Sequence, residues 1–152
     1  MAIHQLTIKP NPENKKLNNQ ISQFNNLVEA LNKKDIPKKF EDLFNAKIHD
    51  LNSGGINDKL RKKIKNTEVE ILKIVGKELQ LFTKNHHRNI WFPLGLAAFG
   101  IPLGVALGTS TGNMGLLGVG LPIGFSLGLT IGTAKDKKVE KEGRQLDVVI
   151  KH

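Results

Sequence analysis

Few side chains in this 152-residue chain are spaced for chemistry. His86 and His87 are its only neighbouring histidines. Two imidazoles can bind a metal or titrate near neutral pH. Adjacent helical residues, however, point about 100° apart, a poor arrangement for one ion. Solvated surface imidazoles are the simpler reading. Glu41-Asp42 and Glu68/Glu70 bring carboxylates together, as general acid–base chemistry requires. Both pairs fall on faces that the helical pattern predicts to be exposed, where salt-bridged surface is the ordinary outcome. The absence of cysteine removes disulfides, thiolate zinc sites and cysteine nucleophiles. There is no P-loop, no GxGxxG at a strand–helix junction, no HExxH and no EF-hand loop. No catalytic residue, metal ligand or cofactor is therefore assigned, and an enzyme is not expected.

The informative chemistry is a lack of charge. Residues 89–134 contain no Asp, Glu, Lys, Arg or His, so all 37 ionic side chains lie outside them. Residues 1–88 carry 17 basic and 10 acidic groups, residues 135–152 carry 6 and 4, and the net charge is +9. The Lys/Asn richness (20 Lys, 14 Asn) reads as the stamp of an AT-rich genome rather than of a function. Met1-Ala2-Ile3-His4-Gln5-Leu6 has no basic patch followed by an apolar run, so no secretory signal is visible.

About 20 apolar helical residues span a hydrocarbon core of about 30 Å. The uncharged block has room for two such spans, near 90–108 and 114–133, joined at the polar patch Thr109-Ser110-Thr111-Gly112-Asn113. Trp91 and Phe92 suit an interface, and Pro93 suits a first helical turn. Lys84 and Arg88 precede the first span, and Lys135, Lys137, Lys138 and Lys141 follow the second. By the positive-inside tendency both termini are cytoplasmic. The competing reading is a glycine-rich hairpin buried in a soluble protein, for which the rest of the chain offers little cover.

Glycines repeat through the block. Gly100, Gly104, Gly108 and Gly112 recur every four residues, as do Gly120, Gly124, Gly128 and Gly132. Segments 94–112 and 114–132 share 8 of 19 positions, which suggests a duplicated element. Between apolar helices in lipid, association rests on close backbone approach, and glycine permits it. A second stripe of small residues lies about 200° around each helix: Ala98, Pro102, Ala106 and Ser110, then Gly118, Pro122, Ser126 and Thr130. One face would join the two spans. The other would join neighbouring copies or line a pore. Pro102 and Pro122 deprive the carbonyls of Ala98 and Gly118 of their usual partners, which reads first as a tolerated kink.

The flanking parts must position this hairpin. Ile3, Leu6 and Ile8 suggest a short strand. Asn11 and Pro12 suit a helix start, and Ile21, Phe24, Leu27, Val28 and Leu31 carry that helix over about 12–33. Phe40, Leu43, Phe44, Ile48 and Leu51 mark a second helix ending at Gly54-Gly55, with the left-handed cap that glycine tolerates. Leu60, Ile64, Ile71, Val75, Leu79 and Phe82 mark a third, from about Asp58 towards Thr83. Their shared core would be small and in need of the membrane surface or a second subunit. Leu146, Val148 and Ile150 alternate as a strand, and pairing with the N-terminal strand is the simplest use for it.

At Arg88-Asn89-Ile90-Trp91, Ala98-Phe99-Gly100-Ile101-Pro102-Leu103-Gly104, Gly112-Asn113-Met114-Gly115, Gly118-Val119-Gly120-Leu121-Pro122-Ile123-Gly124 and Glu142-Gly143-Arg144-Gln145-Leu146, the chain resembles a group of small, largely uncharacterised bacterial membrane proteins with a glycine-zipper hairpin. The resemblance covers about residues 85–150 and implies two spans in a bacterial cytoplasmic (inner) membrane. It supplies no activity and no functional residue.

The expected fold is mainly α. It comprises an amphipathic helical cytosolic module (1–88), a transmembrane glycine-zipper hairpin (89–134) and a charged cytosolic tail (135–152), with short terminal strands paired. The expected function is a non-enzymatic integral membrane protein that self-associates as a homo-oligomer, forming a pore if it encloses a pathway and a scaffold if not. The alternative is a tethered binding module for an unknown cytosolic protein partner, with the hairpin only an anchor. The lipid bilayer is the common partner. The basic N-terminal part lacks nucleic-acid motifs and stacking aromatics, so no nucleic acid is expected.

Overall fold

The computed structural model describes residues 2–9, 14–54 and 59–150. The protein is mainly helical, as the periodicities predict. It forms two compact units, one of residues 1–82 with 146–152 and the other of residues 83–145.

The first unit contains α1 (Lys15–Asn32), α2 (Lys38–Ser53) and α3 (Leu60–Glu78). The predicted N-cap Asn11 and first residue Pro12 lie outside the described residues. Here Asn14 caps α1, its Oδ1 accepting from the Leu17 N–H at 3.0 Å. Gly54 follows α2 with φ −75°, extended rather than left-handed. α3 stops five residues before Thr83, where Gln80 takes φ 53°.

The three helices do not bury their core alone. Phe24, Phe44, Ile64 and Ile71 are joined by Ile3 and Leu6 at one end of the sequence and by Leu146, Val148 and Ile150 at the other. Both chain ends thus supply apolar surface that a three-helix set of this size lacks.

Residues 2–9 form no strand, which corrects one expectation. Their main chain is hydrogen-bonded instead by asparagine side chains. Asn32 accepts from the Ile3 N–H at 2.8 Å and donates to the Ile3 carbonyl at 2.9 Å. Asn25 does the same for Leu6, at 2.8 and 3.2 Å. From α2, Asn45 accepts from the His4 N–H at 2.8 Å and Asn52 from the Thr7 N–H at 3.0 Å. Their amides reach the carbonyls of Ala2 and Gln5 at 3.4 and 3.5 Å. Burial is deepest at Ile3 and Leu6, three residues apart, with Ile8 half-buried against the same core, so the alternation of a β-strand is not kept.

The second unit is a helical hairpin of α4 (His86–Thr111) and α5 (Met114–Lys141). Gly112, at φ 67°, ends α4, and Asn113 opens α5 by accepting from the Gly115 N–H at 3.0 Å. α5 runs past the uncharged block, so Lys135–Lys141 continue the helix rather than begin a separate tail. It closes in a Schellman turn: Arg144 N–H donates to Val139 and Gly143 N–H to Glu140, both at 3.0 Å, with Gly143 at φ 68°.

β1 (Phe82–Thr83) and β2 (Gln145–Leu146) pair as a short parallel sheet. Of the expected strand over 146–150 only Leu146 lies in β2, Val148 and Ile150 being outside it, and the partner is Phe82–Thr83 rather than residues 3–8.

Candidate functional site

The hairpin is built inside out. Its buried residues in the apolar stretches are glycines: Gly95, Gly100, Gly104 and Gly108 on α4 and Gly120, Gly124, Gly128 and Gly132 on α5. Large apolar side chains face outward, among them Ile90, Phe99, Ile101, Leu103, Ile123 and Leu127. Only 17% of the most apolar window of each helix is buried, while mean hydropathy there is 1.9 and 1.8. Both helices are long and apolar enough to cross a membrane.

The glycines are where the two backbones meet. A Cβ on Gly104 would stand 2.6 Å from the Leu117 carbonyl oxygen, and one on Gly132 would stand 2.5 Å from the Cα of Arg88. On Gly124 it would stand 2.5 Å from the Cα of Gly100. Gly120 abuts Gly100 and Gly104, and Gly128 abuts the Trp91 carbonyl. No side chain fits at such separations. At Gly100 and Gly108 the approach is looser, with a Cβ 3.3 Å from the Gly120 carbonyl oxygen and 3.1 Å from Met114 Sδ respectively.

Gly112, which spacing placed on this face, does not lie there: a Cβ on it would meet nothing within 4 Å. Its role is the left-handed cap. Gly95 joins the face instead, because residues Leu96–Gly100 form a π-turn in which the Ile101 N–H donates to Leu96. A π-turn admits one extra residue, so the stripe runs at spacings of five, four and four. Pro102, with no N–H to offer Ala98, follows this wider turn. Pro93, expected in the first turn, lies inside the helix because α4 begins at His86.

The second stripe lies entirely on the outer surface. Ala98, Pro102, Ala106 and Ser110 are exposed, as are Gly118, Pro122, Ser126 and Thr130. Its hydroxyls are already engaged. Ser126 donates to Pro122 and Thr130 to Ser126, both at 2.8 Å, and Ser110 donates to Leu107 at 3.2 Å. Bonding of this i−4 or i−3 kind satisfies the hydroxyl within its own helix.

The charged end of the hairpin is knitted by Asp136. This residue is 8% exposed, and its carboxylate accepts from the backbone N–H of His87 at 2.9 Å and of Arg88 at 3.0 Å. His87 Nδ1 lies 3.0 Å from the same carboxylate. A carboxylate at a helix N-terminus satisfies orphan donors and complements the helix dipole. Here it comes from the other helix, 49 residues away. Lys135 Nζ sits 4.9 Å from the centre of the Trp91 ring, a cation–π contact between the same two helices. Phe92 and Phe125 pack edge-to-face with centroids 4.7 Å apart.

Glu68 corrects another expectation. It is 1% exposed on α3, where Gln20 donates to it at 3.0 Å and Gln23 at 2.9 Å. Burial pushes its carboxyl above the ordinary range, opposed by the two amides and by Lys65. Glu70 does face outward and pairs with Lys47 at 2.7 Å. Among the described residues no group of three or more His, Cys, Asp or Glu could hold a metal ion.

No family model, curated protein or solved structure matches the chain.

Proposed function

We propose that the protein is a non-enzymatic integral membrane protein whose hairpin spans the bacterial cytoplasmic membrane and holds the helical module at its cytoplasmic surface. The inversion of the hairpin carries this reading: glycine inside, leucine, isoleucine and phenylalanine outside. In water that surface would be costly, whereas lipid tails solvate it and leave close packing to hold the helices together. The helices are about 39 and 42 Å long at 1.5 Å per residue, exceeding a hydrocarbon core of about 30 Å. The surplus on α5 is its charged end, which suits the headgroup layer. Lys84, Arg88, Lys135 and Lys137 gather at the open end, and the Gly112-Asn113 turn is uncharged, so both termini face the cytoplasm.

Within this reading the helical module is the working part and recruits a partner. Self-association is the second reading, favoured by the exposed stripe of Ala98, Pro102, Ala106, Ser110, Gly118, Pro122, Ser126 and Thr130. The engagement of Ser110, Ser126 and Thr130 with their own backbones favours a packed scaffold over a wet pathway.

Fractionation of expressing bacteria and an alkaline carbonate wash test the anchor. Retention in the washed membranes is expected, and release into the supernatant would overturn it. Cross-linking in native membranes tests the second reading, which monomers alone would eliminate.

A further inference from the structure

We propose that the charged end of the hairpin holds a seat for one anionic phospholipid, its phosphate in the cleft between Arg88 and Lys137 and an acyl chain along the same face towards the turn. The inference rests on the membrane-spanning reading and deepens it, giving the bilayer one chemically specific contact.

The cleft has a volume of about 240 Å³ and lies wholly within the second unit. Lys84, just before α4, and Arg88, in its first turn, bring cations to it, and Lys137 brings a third from α5. Asn85, Thr133 and Gln145 add neutral donors. Two carboxylates share the lining, Asp136 and Glu140. Asp136 is engaged by the backbone N–H groups of His87 and Arg88, so the terminus of α4 is already satisfied. Glu140 is the lining carboxylate left to oppose three cations. Among the described residues of this unit the ion pairs are His87–Asp136, Lys138–Glu142 and Arg144–Glu142, and none engages Arg88 or Lys137. Both residues are exposed, and the close pass of Gly132 against the Arg88 Cα holds that main chain in place. One phosphate diester would offset the imbalance through charge-assisted hydrogen bonds.

What continues the cleft points to a lipid and not to a soluble anion. Residues four apart on a helix share a face. Phe92 follows Arg88 by four, while Leu129 and Phe125 precede Thr133 by four and eight. Phe92 and Phe125 meet edge-to-face across the two helices, which places them on one side of the hairpin. Charge, hydroxyl and hydrocarbon therefore succeed one another along a single face, in the order of a phospholipid's phosphate, ester and acyl chain. Phe125 is exposed and Phe92 and Leu129 are half-buried, a surface that an acyl chain can cover. Charged residues give way to uncharged ones at 88–89 on α4 and at 134–135 on α5, so a spanning hairpin carries the cleft at the depth of the lipid phosphates. A free phosphate would use only the first part of that face.

Trp91 is the chain's one tryptophan and stands three residues from Arg88, so its fluorescence reports the lipid beside the cleft. The full chain is reconstituted in equimolar phosphatidylglycerol and phosphatidylcholine, with bromine on the acyl chains of one or the other. Brominated phosphatidylglycerol should quench Trp91 at least about twofold more than brominated phosphatidylcholine. Arg88→Gln with Lys137→Gln should bring that ratio to about one. Lys138→Gln with Lys141→Gln removes the same charge from α5 outside the cleft and should keep the ratio. Equal losses in the two double variants would make the preference a diffuse surface effect and overturn the proposal. So would a preference that inorganic phosphate abolishes and sodium chloride of equal ionic strength does not, because the seat would then belong to a soluble anion. Should the variant of Arg88 and Lys137 lose its helical signal, Glu140→Gln decides: a raised ratio supports the seat, and an unchanged or lower one ends it. Equal quenching of the unaltered chain by both lipids refutes the cleft alone. Quenching by neither refutes the membrane anchor, and the cleft with it.

Discussion

Asp136 closes the amino-terminal end of α4, its carboxylate bonded to the N–H of His87, 49 residues earlier in the sequence. One side chain thereby fixes the register of α4 against α5 at the charged end. Asp136→Ala leaves two helix-terminal donors without this acceptor, and a loss of about 1–2 kcal/mol is expected. Thermal unfolding in detergent would read the loss, and faster exchange of the His87 and Arg88 amides would locate it. An unchanged melting point would show that solvent replaces the carboxylate.

The glycines differ in what they tolerate. Gly124→Leu drives a side chain into the backbone of Gly100 and should part the helices or destabilise the hairpin by about 3 kcal/mol, the upper end of ordinary overpacking. Gly118→Leu points into open space and should leave stability within about 0.5 kcal/mol. Energy transfer between labels on α4 and α5 distinguishes the two. Equal effects would mean the helices do not meet on this face.

The asparagines should rank by the burial of the bonds they make rather than of their own side chains, since Asn32 is exposed and Asn52 half-buried. The bonds from Asn25 and Asn32 are partly buried and short, while those from Asn45 and Asn52 are exposed and longer on the donating side. Alanine at Asn32 should cost about 1–3 kcal/mol and at Asn52 less than about 1 kcal/mol. Denaturant titration of the full chain would show the order, and a reversed order would contradict the geometry.

Glu68 makes a pH prediction. Its carboxyl is raised above 4.5, chiefly by burial, so folding takes up a proton between that value and the higher folded one. The contribution to stability is greatest below 4.5 and declines as pH rises through the folded value. Glu68→Gln should remove this decline and raise the melting point at pH 8. A melting profile over pH 4–8 that is identical for both proteins would remove Glu68 from the account.

The hairpin was legible because a 46-residue block without charge and a four-residue glycine period admit few arrangements. What spacing could not reveal was the π-turn, which brings Gly95 onto the face, and the end of α4 at Gly112, which takes that residue off it. Glu68 left a sign in the sequence: Leu60, Ile64, Ile71 and Val75 leave a gap in their stripe, and Glu68 fills it. Polarity alone suggested solvent, but two glutamines on α1 receive the buried carboxylate. Asn25/Asn32 and Asn45/Asn52 also left a mark, a seven-residue spacing repeated on two helices. It was read as composition, because neutral amides carry no periodic hydrophobic signal. Residues 3–8 looked like a strand because aliphatic residues near one another suggest one. Their main chain is instead bonded by asparagine side chains of α1 and α2.

The four carboxamides that hold residues 2–7 carry no charge and do not titrate at biological pH. They sit in a part of the chain with 17 lysines and arginines, beside which ionic contacts would rise and fade with salt. The grip on the segment is consequently indifferent to ionic strength and to acidification.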